Sequence, residues 1–117
     1  MPPYHRFPCW QACHRLAVAI YLETTSWDRR HLHGLTSQIT RAAYSAAANI
    51  AEGSAKRGRA EFRRYLDISV GSLAELSYAL LLARDAHIIS DQRWQELEGL
   101  RDEAGRLALR LGDLRLA

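Results

Sequence analysis

Cysteine is scarce in this 117-residue chain, with Cys9 and Cys13 the only two. They stand four apart in a helical pattern, a poor geometry for a mutual disulfide, which excludes a disulfide-stapled secreted scaffold. Cysteine is among the most often buried residue types, so both are expected to be reduced packing residues. With His14 they form Cys-x-x-x-Cys-His, the one spacing that hints at a metal. Cys9 and Cys13 could share a helix face, but His14 points about 100° away and no second half-site follows, so no metal is expected. Long apolar runs are missing too. The runs present, such as Tyr78 to Ala83, are far short of the ~20 residues that cross a bilayer. Met1-Pro-Pro-Tyr-His-Arg is not followed by an apolar segment free of polar residues, so no signal peptide is expected and the chain reads as cytoplasmic with no membrane partner.

Catalytic patterns are equally thin. Gly53, Gly58 and Gly71 lack the spacing of a phosphate loop and its following Lys-Ser or Lys-Thr. Ser72 with Glu75, or Asn49 with Glu52, can be drawn as reactive pairs, but neither has a base beside a nucleophile held by a third group. Histidines 5, 14, 31, 33 and 87 are scattered over helix starts and loops. A non-enzymatic protein without a cofactor is expected.

What is present is helical periodicity. Apolar content of 48% and charged content of 25% fit an ordinary globular protein, and the length allows one domain, residues 1–117, with a modest core. Four helices follow from spacing, at about residues 9–25, 34–52, 59–86 and 91–114. Trp10, Cys13, Leu16, Ala17, Ile20 and Tyr21 recur at helical spacing in the first. Gly53 reads as a left-handed terminator of the second. Ser90 reads as the N-cap of the fourth, ahead of Trp94, Leu97, Leu100, Ala104, Leu107 and Leu111. No strand is needed. Short connections between long amphipathic helices predict an all-α, antiparallel up-down-up-down four-helix bundle.

Two helices carry more than a core stripe. In the second, Gln38, Arg41, Ser45, Asn49 and Glu52 fall three or four apart and share one face, beside an apolar face of Leu35, Ile39, Ala42, Ala46 and Ile50. If the second and third helices run antiparallel about a turn near Lys56, Glu75 comes within reach of Gln38 and Arg41. A polar network of Gln38, Arg41, Ser45, Asn49, Glu52, Ser72 and Glu75 is then expected, with Glu75 satisfied within the subunit or across an interface. If the Arg41 and Glu75 pair is buried, removing either residue should destabilise by about 3 to 5 kcal/mol. The third helix is apolar nearly all round, whereas a monomeric domain's helix usually has one apolar stripe. The excess is most simply buried against copies of the same chain, so a homo-oligomer is expected.

Charge is uneven. Residues 1–64 carry ten Arg or Lys against four acids, and residues 65–117 six against nine. Lys56, Arg57, Arg59, Arg63 and Arg64 are the densest group, interrupted only by Glu61, with Arg29 and Arg30 further candidates. Such a cluster is either a solvated helix start or an electrostatic footprint for phosphates. A ring of subunits would repeat it and add avidity.

The chain also resembles a known family. Trp10-Gln-Ala, Gly34-Leu-Thr-Ser-Gln38, Arg41-Ala-Ala, Asn49-Ile-Ala-Glu-Gly53, Glu61-Phe62, Tyr65-Leu66 and Gly71-Ser-Leu-Ala-Glu-Leu76 resemble the four-helix bundle proteins first known from intervening sequences of bacterial 23S ribosomal RNA genes. That family looks related to the accessory variability determinants of diversity-generating retroelements. The resemblance spans about residues 7 to 90; the fourth helix matches only in apolar spacing. It implies a cytoplasmic bacterial bundle that forms a homopentamer without established enzymatic activity. For the accessory proteins it implies a barrel-like ring with a basic surface that binds nucleic acid and docks onto a reverse transcriptase; for the cationic cluster of this chain, repeated around a ring, the expected ligand is RNA or an RNA/DNA hybrid. Two positions depart from the family pattern: His31 replaces a usual acid and Ser69 a usual Ala. Two function classes follow: a ring-forming nucleic-acid-binding accessory protein, or an oligomeric adaptor for other proteins with no direct nucleic-acid role.

Overall fold

Alanine and glycine set the closest packing in the molecule. In the computed structural model, which describes residues 2–116, helix α2 (Leu35–Ser54) buries Ile39, Ala42, Ala43, Ala46, Ile50 and Gly53. Its closest partner is α3 (Arg59–Asp85), which presents Leu66, Ser69, Leu73, Leu76, Leu80 and Ala83 to the core. A Cβ added to Gly53 would stand 2.8 Å from the Tyr65 Cβ, so the two helices meet there backbone to side chain. Gly53 is therefore a packing contact inside α2 and not the left-handed terminator its position suggested. The left-handed residue of this connection is Gly58, with φ of 83°, just before α3.

Helix α1 (Pro8–Thr24) starts on Pro8, whose fixed φ suits the first turn, and buries Cys9, Ala12, Cys13, Leu16 and Ile20. Helix α4 (Asp91–Leu116) is capped by Ser90, whose hydroxyl accepts from the Arg93 amide at 3.0 Å, and it buries Leu97, Ala104 and Ala108. Short 3-10 turns occupy Pro3–Arg6 and Arg29–His31. Each helix packs on two others: α1 on α2 and α4, and α3 on α2 and α4. The four helices share one core in a body of 43 × 23 × 23 Å. No strand occurs among the described residues.

Polar contacts also tie the helices to one another. Arg93, on α4, donates to Glu23 of α1 at 2.5 Å and to Glu96 at 2.6 Å. On α3 the buried Ser69 hydroxyl donates to the Ala46 carbonyl of α2 at 2.6 Å. Burial pushes the neighbouring thiols up, Cys9 to about 11 and Cys13 to about 12, so both are neutral at ordinary pH.

Candidate nucleic-acid interface

The turn between α2 and α3 carries a cluster of cations, and the N-terminus of α3 there has no side-chain cap. Lys56, Arg57, Arg59, Arg63 and Arg64 are all exposed. Their electrostatic states differ. Arg63 pairs with Asp67 at 3.4 Å and Arg64 with Glu61 at 3.6 Å, each along the helix. Arg64 also lies 4.8 Å from the Tyr65 ring centre and Lys56 5.6 Å from it, so both cations lie over the Tyr65 ring. Among the described residues Arg57 and Arg59 meet no acid within ion-pair range. They flank Gly58, where the first amides of α3 point outward with no side-chain cap.

Folding brings two cations to this end that sequence order kept far away. The Phe7 and Phe62 rings meet at 6.0 Å, so the N-terminal turn that carries exposed Arg6 lies at the same end of the bundle as the start of α3. A Cβ on Gly112 would touch the Leu66 side chain at 3.4 Å, which sets the last turns of α4, with exposed Arg110, beside the same region. No sequence signal marked Arg6 or Arg110, because nothing local says which helix ends share an end of the bundle. Arg29 and Arg30 do not join this group. They lie on the turn before α2, at the far end of a 20-residue helix, about 30 Å away at 1.5 Å per residue. Arg30 also lies 3.9 Å from Asp28.

The expected polar network is half assembled. Asn49 donates to the Ser45 carbonyl at 2.8 Å and to its hydroxyl at 2.9 Å, and Ser72 bonds the same hydroxyl at 2.7 Å, tying α2 to α3. Gln38, Arg41, Glu52 and Glu75 are exposed. Among the described residues Glu75 makes no side-chain bond or ion pair with Gln38 or Arg41, which corrects the expectation of a pair inside the subunit. The reason is angular. Leu73 and Leu76 point to the core and Ser72 toward α2, which leaves position 75 outward.

Beside the cationic end lies a trough between α1 and α2, of about 760 Å³. Its floor is Ala17, Ala47, Ala48 and Ala51, and its walls include Trp10, Tyr21 and Tyr44. Trp10 stacks between His5 at 4.7 Å and His14 at 5.0 Å. That stack accounts for His14, which the cysteine spacing had linked to a metal. Among the described residues no group of three or more His, Cys, Asp or Glu is placed to hold a metal ion.

Fold and surface together define an all-α protein of four helices with a cationic end and an uncovered apolar trough. The chain belongs to the 23S rRNA-intervening sequence protein family, whose model matches residues 5–109 and so reaches well into α4. Its fold is similar to a crystal structure from Bacteroides thetaiotaomicron described as a protein of unknown function from the S23 ribosomal protein family. The two are 23% identical with a TM-score of 0.81, over 88% of this chain and 93% of that one. No curated protein matches the chain in sequence.

Proposed function

We propose that this protein is a non-enzymatic, cytoplasmic homo-oligomer of antiparallel up-down-up-down bundles that binds nucleic acid through its cationic end. The observation that carries the reading is the convergence of Arg6, Lys56, Arg57, Arg59 and Arg110, all exposed and none in ion-pair range of an acid among the described residues. Fixed cations on rigid helix ends, beside uncapped amides, suit phosphate oxygens and carry no base-reading element, so binding is sequence-tolerant. The ligand class is RNA or an RNA/DNA hybrid. The pentamer, and a reverse transcriptase as protein partner, follow from the resemblance to the retroelement accessory proteins.

The test is retention of a generic single-stranded RNA at about 50 mM salt, where phosphate contacts are strong. Reversing Arg57 and Arg59 to Glu should abolish retention while the mass of the protein is unchanged. Reversing Arg63 alone should have a smaller effect, because Asp67 already neutralises it in part. Failure of the parent to bind RNA or DNA favours the second reading, an adaptor that binds protein through its apolar faces. Exposed Leu22, Tyr44 and Tyr78, each about two-thirds accessible, support that alternative.

A further inference from the structure

The trough between α1 and α2 has features that neither the core nor the cationic end accounts for. At about 760 Å³ it has the size of small-molecule sites, which are mostly apolar, form between the helices of bundles and hold a few placed polar groups. Its alanine floor leaves room for an apolar body. The contact of Phe7 with Phe62 brings the start of α1 to the end of the bundle where α2 stops, so Trp10 and Glu52 mark one end of the trough. Exposed Tyr21 and Tyr44 mark the other. Tyr44 precedes Glu52 by eight positions on α2, about 12 Å at 1.5 Å per residue. Tyr4, on the N-terminal turn, lies 4.8 Å from Trp10 and also lines the trough, so that turn walls off the Glu52 end.

Glu52 sets the charge of the occupant. Among the described residues that line the trough it is the one acid, and no Lys or Arg joins it there. Its side chain makes no hydrogen bond or ion pair among the described residues. Lys56, four positions on, lies over the Tyr65 ring instead, 5.6 Å from its centre. An unpaired carboxylate beside apolar walls attracts a cation and repels an anion. Trp10 is stacked between His5 and His14, so the open rings are those of Tyr21 and Tyr44, where an apolar body would end. We propose that the trough binds a small cationic amphiphile, its ammonium group against Glu52 and its apolar body along the alanine floor toward Tyr21 and Tyr44. The walled end favours a ligand that terminates at Glu52 over a partner helix, which needs a groove open at both ends. This site shares no residue with the cationic end, and its ligand has the opposite charge to a phosphate.

Calorimetric titration of the full chain near neutral pH with 6-phenylhexylamine, and separately with 6-phenylhexanoate, tests it. The two probes share an apolar body and differ in the charge of the head. The amine should bind saturably, and the carboxylate about tenfold or more weaker, the scale of one close charge contact. Glu52→Gln should weaken the amine by a similar factor and narrow the gap between the probes. Tyr44→Ala should weaken amine binding while the amine stays preferred over the carboxylate, because it removes part of the apolar end and leaves the acid. No saturable binding of the amine by the parent overturns the proposal. So does equal binding of both probes, or a preference for the amine that survives Glu52→Gln unchanged. Amine binding that Tyr44→Ala leaves intact overturns the placement along the floor. Glu52 and Tyr44 are both exposed, so neither substitution opens the core. Should a variant misfold all the same, the comparison of the two probes on the parent decides the matter. Retention of RNA is a separate readout, so failure here leaves the reading of the cationic end standing.

Discussion

His87 holds a backbone conformation that ordinary residues avoid. Its φ is 61°, and the Ile88 amide reaches back to the Ala83 carbonyl at 2.8 Å, the closing bond of a helix end that favours glycine. A left-handed non-glycine residue costs about 1 to 2 kcal/mol, partly offset by the greater unfolded-state freedom of glycine. His87→Gly is therefore expected to stabilise by about 0.5 to 1 kcal/mol, read as a rise in melting temperature. A lower melting temperature would show that the imidazole makes a contact worth more than the strain. Gly53 should behave in the opposite sense. Alanine there improves helix propensity by about 1 kcal/mol but drives a methyl into Tyr65, and overpacking of this kind costs about 1 to 3 kcal/mol. Net destabilisation in a denaturant titration is expected. The thiols offer a third check. Because the folded values of Cys9 and Cys13, about 11 and 12, lie above the ordinary thiol value, their contribution to stability is fully present below about pH 8.5 and is lost as pH rises through the folded values. At pH 8 the native protein should resist alkylation until denaturant is added; rapid labelling would place the thiols at the surface.

Among the elements, the helices were legible because apolar periodicity is a local signal. The Ser90 cap was legible for the same reason: its hydroxyl acts only three residues along the chain. Gly53 was misread because a glycine at the end of an apolar pattern has two uses, a left-handed turn and a close helix approach, and only the position of Tyr65 decides between them. Whether Glu75 meets Gln38 or Arg41 within the subunit was not legible, because its height along α2 could be estimated from the turn while its direction around α3 depends on how both helices are rotated. The cationic end was half legible. Lys56 to Arg64 are neighbours in sequence, whereas Arg6 and Arg110 arrive through tertiary packing and Arg29 and Arg30 are carried to the other end of α2. Arg93 shows the same dependence, since no pattern links it to Glu23, 70 positions earlier. Glu23 is only 16% accessible and holds the Arg93 guanidinium above its ordinary value. Arg93→Ala should lower stability by about 1 to 2 kcal/mol, the range for a charge-assisted bond partly screened by water. A melting curve like that of the parent would mean that α1 and α4 are held by apolar packing alone.

For the molecule as a whole, the apolar surfaces and the cationic end belong to different parts of the subunit, so the proposed assembly and the proposed nucleic-acid binding do not compete for the same residues. The proposed assembly would multiply the cationic end. One subunit presents Arg6, Lys56, Arg57, Arg59 and Arg110 without acid partners among the described residues. Neutralising five phosphates of a single strand gives a slope of log affinity against log salt of about −3.5, at roughly −0.7 per contact. The measurement that tests the account most directly is that slope for the parent protein on single-stranded RNA. A slope steeper than about −3.5 is expected, since a strand long enough to cross subunits meets more than one cationic end. Affinity that does not change with salt, or no retention at the lowest salt, would contradict it.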